Sequence, residues 1–275
     1  MDYSSSLPQS DRSTSTAAGH WVLARAGKRV LARAGKRVLR PGGLKLTKRM
    51  LSAADMQGKE IVEFAPGLGR TAQLIVTEGV SSYVGVDQDS AAVARVEAIV
   101  KPHGGTVINA KAHDTGLSGE SAEVVVGEAM LTMQGEKAKA EIVAEAFRLL
   151  KPGGYYAIHE LGLTPNDIDP ELADGLRKQL AQTIRVNARP LTENEWRTVL
   201  TNAGFEVEWI SFAPMALLSP KRNLADEGFL GVVRIIRNLI RDKALRARVF
   251  QMRSTFNKYR DHLTGIAIVA KKPSN

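Results

Sequence analysis

The stretch Glu63-Phe64-Ala65-Pro66-Gly67-Leu68-Gly69-Arg70-Thr71-Ala72, read together with Val84-Gly85-Val86-Asp87, decides how this chain folds. Ile61-Val62-Glu63-Phe64 is a short apolar run ending in a Pro/Gly turn, and Arg70 to Glu78 has the spacing of a helix. Ser82 to Val86 reads as a second strand that stops at Asp87. Glycines at a strand-to-helix turn let a ligand approach the backbone, because a Cβ there would collide with it. A carboxylate at the end of the next strand can accept hydrogen bonds from both hydroxyls of a ribose. Strand, glycine loop, helix, strand and acid in that order predict a site for a nucleoside cofactor. Gly67-x-Gly69-x-x-Ala72 also fits a relaxed dinucleotide fingerprint, so these residues leave two cofactors open. Glu63 shifts the balance: an acid four residues before Gly67 suits an ammonium or sulfonium and would repel a pyrophosphate.

The alternation continues outward. Ala91 to Val100 reads as helix, Thr106 to Ile108 as strand, Glu123 to Val126 as strand, Lys137 to Leu150 as helix and Tyr155 to Leu161 as strand. Glu193 to Ala203 is a further helix, and Phe205 to Phe212 and Thr264 to Lys271 are the last strands. This predicts an α/β fold with a mostly parallel sheet covered by helices on both faces. Ligands of such sheets sit beyond the C-terminal strand ends. The acceptor side therefore starts at Glu128, a candidate general base, holder of a cationic acceptor or cofactor contact, and includes His159 and Glu160. Strand alternation points His159 and Glu160 to opposite faces, so at most one of them meets the pocket.

The residues resemble the class I S-adenosylmethionine-dependent methyltransferases. Glu63 to Gly69 is similar to their first motif with Ala65 in place of the first glycine, and Val84 to Asp87 to their second. Arg148-Leu149-Leu150-Lys151-Pro152-Gly153-Gly154 resembles the turn before their fifth strand, and Ala203-Gly204-Phe205 the lead into their sixth. The likeness is to the small-molecule branch, methyltransferase type 11/25-like. It implies a Rossmann-like seven-stranded sheet with an antiparallel last strand. It also implies that Ala65, Gly67 and Gly69 flank the methionine part, that Glu63 orders the loop or the amino group, and that Asp87, with neighbouring Gln88, holds the ribose. Asp114 is offered for the adenine, with His113 at a spacing that fits as well. Gly43, before a helix starting at Leu44, has an N–H suited to the cofactor carboxylate or serves a plain turn. No Asp/Asn-Pro-Pro-aromatic run follows the fourth strand, which argues against methylation of base amino groups.

Composition limits the chemistry. The chain has 275 residues, 44% hydrophobic and no cysteine. Thiol nucleophiles, disulfides, cysteine zinc sites and iron–sulfur clusters are excluded, and no metal is expected. The formal charge of +9 is uneven. Residues 24 to 50 hold ten basic residues and no acid, and residues 219 to 262 hold eleven basic and four acidic ones, so the remainder is net acidic.

Three divisions follow. Residues 1–19, opened by a Ser/Thr-rich run and lacking a signal-peptide pattern, are expected to be a disordered tail of a cytoplasmic protein. Residues 20–57 form a basic helical cap, in which VLARAGKRVL at 22–31 is repeated at 30–39. Residues 58–275 form the catalytic domain, with a helical lid inserted at 213–262. From Phe229 to Arg241 apolar residues and arginines segregate around a helix, which fits a lid or a peripheral membrane contact and argues against nucleic acid. The expected activity is methyl transfer to a small, lipophilic acceptor by in-line displacement. The alternatives are an RNA methyltransferase using the basic segments, a nicotinamide-dependent oxidoreductase and a non-catalytic binder. Oligomeric state is open.

Overall fold

A computed structural model describes residues 40–184, 187–215 and 236–274. The tail at 1–19, the repeat at 22–39 and the 229–235 part of the predicted amphipathic helix lie outside the described residues. The described chain runs α1 (Leu44–Ala53), β1 (Glu60–Phe64), α2 (Arg70–Thr77), β2 (Ser82–Val86), α3 (Ser90–Val100), β3 (Thr106–Ile108) and β4 (Ala122–Glu128). It continues with α4 (Glu136–Leu149), β5 (Leu150–Leu163), α5 (Pro170–Ile184), β6 (Leu191–Thr192), α6 (Glu193–Thr201), β7 (Glu206–Pro214), α7 (Lys243–Lys258) and β8 (Leu263–Lys271).

The sheet order is β3-β2-β1-β4-β5-β8-β7, with the two-residue β6 paired to β5 off this path. The first five strands are parallel, while β8 lies antiparallel between β5 and β7. This is the expected Rossmann-like sheet with an antiparallel last strand, plus the short β6. Strand alternation sorts the core into two layers. Ile61, Val124, Val126, Ala157 and Ala267 pack with Leu46 and Met50 of α1, Ile75 of α2 and Val96 of α3. Phe64, Val125, Tyr156, Ile158 and Ile268 pack on the other face with Ile142 and Val143 of α4 and Trp196 of α6. Local sequence sets the helix starts. Thr192 and Glu195 form a reciprocal capping box at α6, and the Asp89 carboxylate accepts from Ala91 N at α3.

A third apolar cluster joins Leu161 and Leu163 of β5 to Leu176 and Leu180 of α5, Met215, and Leu245, Met252 and Phe256 of α7. These helices make a cap beside the C-terminal end of β5. The insertion expected at 213–262 supplies α7, but α5 was not anticipated. Its helical signal is the spacing of buried Ala173, Leu176 and Leu180, diluted by Gly175 and by charged neighbours. Among the described residues no helix is long and apolar enough to cross a membrane.

One core group is unsatisfied. The Tyr156 hydroxyl is buried with no hydrogen-bond partner among the described residues, and burial pushes its pKa well up. Tyr156→Phe removes the orphan group and keeps the ring against Phe205. It is expected to raise unfolding stability by about 1 kcal/mol in urea titration.

Candidate functional site

The loop 65–69 leaves β1 through two residues with positive φ, Ala65 at 51° and Gly67 at 56°. A Cβ on Gly67 would meet nothing closer than Ala65 O at 3.6 Å, so its backbone faces open space. Gly69 has a different reason to be glycine. It caps α2 at φ 71°, and a Cβ there would stand 2.4 Å from Ile99 Cδ1 of α3. Of the two glycines, Gly67 leaves open space beside the backbone, and Gly69 lets two helices close together.

Asp87 ends β2 directly beside this loop. Its Oδ2 accepts from Gly67 N at 3.1 Å and its Oδ1 from Asp89 N at 2.9 Å. The Asn109 side chain donates to its backbone oxygen at 2.9 Å. The carboxylate is thus aimed by the backbone, with lone pairs left on both oxygens. Gln88 sits beside it, half-buried.

Glu63 departs from the sequence expectation of a charge beside the loop. It is 2% exposed, accepts from the Tyr83 hydroxyl at 2.7 Å, and burial pushes its pKa from an ordinary value near 4.5 up to about 8. Near neutral pH it is a protonated strut between β1 and β2. Because the folded state holds this proton and the unfolded chain releases it, stability from Glu63 is full below about 4.5 and is lost as pH rises toward 8. Glu63→Gln keeps an acceptor for Tyr83. It is expected to flatten the stability-against-pH curve over that window, by up to about 1.4 kcal/mol per pH unit.

Around Glu128, at the end of β4, the structure gathers residues from five parts of the chain. Arg40 Nε donates to Oε2 at 3.1 Å, Thr47 Oγ1 of α1 to Oε1 at 2.6 Å, and Thr71 Oγ1 of α2 to Oε2. Arg40 Nη2 donates to Thr71 Oγ1 at 2.9 Å, closing the ring. His159, the register partner of Glu128 on β5, brings Nδ1 to 2.8 Å from Oε1 and turns Nε2 to the Pro41 carbonyl. A carbonyl only accepts, so Nε2 carries a hydrogen. Burial alone would raise the Glu128 pKa, but the Arg40 guanidinium and the His159 and Thr47 hydrogen bonds hold it well below the usual carboxylate range. A carboxylate so stabilised is a poor proton acceptor, which counts against the general-base expectation for Glu128.

The other candidates scatter. Glu160 points to the opposite face, fully buried, where it accepts from Met130 N, Leu131 N, Thr132 N and Thr132 Oγ1 and anchors the segment after β4. That geometry gives it a structural job and no access to a pocket. Asp114 and His113 lie exposed in the turn closed by Asp114 N donating to Lys111 O at 3.1 Å. Gly43 N donates to Arg40 O at 3.1 Å, so the plain turn is what forms and that N–H is taken. Arg40, Thr47 and Thr71 were not anticipated. Thr71 follows the glycine loop directly, which is a usable signal, but Arg40 was hidden in a run of ten basic residues.

The methyltransferase domain family's profile matches residues 62–158. An uncharacterized protein of Haemophilus influenzae is 35% identical over 237 residues, 84% of this chain and 92% of that one. Among solved structures, the [4+2]-cyclase SpnF superposes with a TM-score of 0.70 at 15% identity, covering 93% of this chain and 96% of that one. The Haemonchus contortus phosphoethanolamine N-methyltransferase 2, in complex with phosphomonomethylethanolamine and S-adenosylhomocysteine, does so at 0.64 and 16%, covering 96% of this chain and 59% of that one. The chain belongs to the class I S-adenosylmethionine-dependent methyltransferases, and S-adenosylmethionine is its cofactor. The nicotinamide alternative falls with that assignment.

Proposed function

We propose that the chain methylates a small, lipophilic acceptor held between the Glu128 cluster and the cap. The observation that supports this acceptor class is the apolar interior of the cap beside the C-terminal end of β5. Leu161, Leu163, Leu245 and Met252 are buried there, and Met133, in the segment that follows Glu128, packs on the same cluster. A cap built on so apolar a core suits a small apolar molecule beside it better than the charged backbone of RNA.

S-adenosylmethionine supplies a methyl group already activated on a sulfonium. The residues present fit it. The Gly67 backbone leaves room for the ligand, and Asp87 has lone pairs for both ribose hydroxyls. Arg40 and Glu128 are a charge pair complementary to an α-carboxylate and an α-ammonium, with Arg40 suited to the first and Glu128 to the second. With Glu128 held ionised and His159 and Glu160 fully hydrogen-bonded, no base is assigned among them. In this reading their work is to fix the site and exclude water.

The test is transfer of labelled methyl from the cofactor into fractionated cell extract. Label in the organic-extractable small-molecule fraction is expected. Label confined to RNA would overturn the acceptor class while leaving the cofactor assignment intact.

A further inference from the structure

Residues 236–241 and α7, two helical segments separated by the extended N-cap Asp242, carry apolar groups that the fold leaves exposed. Leu239 of the first segment and the α7 stripe Leu245, Val249, Met252 and Phe256 belong to the cap cluster. Phe250 is outside it. At 100° per residue it lies about 130° around α7 from the centre of that stripe, and it is 56% exposed. Ile236 and Ile240, one turn apart in the helical residues 236–241, are 51% and 66% exposed. A single exposed apolar side chain is ordinary, but three large ones on two consecutive helical segments call for a partner.

The charge around them is one-sided. Arg237, Arg241, Lys243, Arg246, Arg248, Arg253 and Lys258 stand against Asp242 as the one acid of 236–258. Among the described residues, the first six of these bases form no ion pair with a carboxylate. Arg246 and Arg253 sit one turn before and one turn after Phe250, so guanidinium groups flank the ring. On α5, the other helix of the cap, Glu171 and Asp174 balance Arg177 and Lys178. The positive field therefore belongs to this stretch.

We propose that the exposed sides of the two consecutive helical segments 236–241 and α7 dock on an anionic phospholipid surface. Headgroup phosphates would take the arginines and lysines, and the acyl boundary would take Ile236, Ile240 and Phe250. A nucleic acid would satisfy the charges, but two of the three exposed apolar groups are aliphatic and offer bases no stacking surface. The inference does not depend on the acceptor reading, although a membrane-docked cap would stand next to any acceptor dissolved in lipid.

The experiment is co-sedimentation of the full chain with phosphatidylglycerol/phosphatidylcholine vesicles and with pure phosphatidylcholine vesicles. Binding to the anionic vesicles is expected to weaken steeply as salt is raised. The pair Ile240→Ser/Phe250→Ser should lower partitioning about 30-fold. The pair Arg246→Glu/Arg253→Glu should lower it by at least as much. Heats of S-adenosylmethionine binding should stay unchanged in both variants, which separates this result from any failure of the proposed activity. Equal binding to both vesicle types, or anionic binding untouched by either variant, would overturn the proposal; the second result would assign binding to the basic segment at 24–50. So would a dimer in sedimentation velocity that the Ser pair dissolves, or RNA binding lost in the Glu pair without any vesicle binding.

Discussion

Glu128→Ala is expected to lower unfolding stability by about 3–5 kcal/mol, measured in urea, the cost of stripping a buried cation of its counterion. Arg40 is 5% exposed, and its Nε meets Glu128 at 3.1 Å. With the carboxylate gone, a desolvated guanidinium keeps, among the described residues, the Thr71 hydroxyl alone, and Thr47 and His159 lose a shared acceptor. The double variant Arg40→Met/Glu128→Leu should recover most of the loss, because removing both charges leaves neither unpaired. A cost for Glu128→Ala under about 1 kcal/mol would mean that solvent already reaches Arg40.

Asp87→Ala is expected to weaken S-adenosylmethionine binding by about 100-fold or more in calorimetry, as befits the loss of two charge-assisted hydrogen bonds. Asp87→Asn keeps one acceptor and should lose about 10-fold. Because the carboxylate also fixes Gly67 N and Asp89 N, circular dichroism should accompany the titration to show that the fold survives. An unchanged affinity in Asp87→Ala would remove this residue from the cofactor site.

The sequence made the sheet and its loop legible because both are local patterns. Alternating apolar runs predicted β1, β2, β4 and β8 to within a few residues, and the spacing of Gly67 and Asp87 carried the nucleoside-cofactor reading, while the choice of S-adenosylmethionine rested on Glu63 and the family resemblance. What escaped depends on contacts between distant positions. Arg40 and Glu128 are 88 residues apart and His159 and Pro41 118 apart, and no local pattern announces that they meet. Glu63 was recognised at the right position with the wrong charge, since burial is a tertiary property. Helix α5 was missed because its apolar stripe is only three residues deep across two turns.

The place of β8 has a consequence for how the protein comes to exist. The last strand in the chain is not at the edge of the sheet but between β5 and β7, where it pairs with both. During synthesis β7 emerges first and has no partner until residues 263–271 arrive. β7 therefore cannot join the sheet until β8 is present. Gly265 of β8 lies against Pro41 and Gly42, with its missing Cβ only 2.6 Å from their backbone atoms. The turn that delivers Arg40 to Glu128 thus has no floor until the final strand leaves the ribosome. The Arg40–Glu128 ring depends on β8, so a polypeptide stopped short of residue 263 could hold every residue of the ring and still lack its geometry.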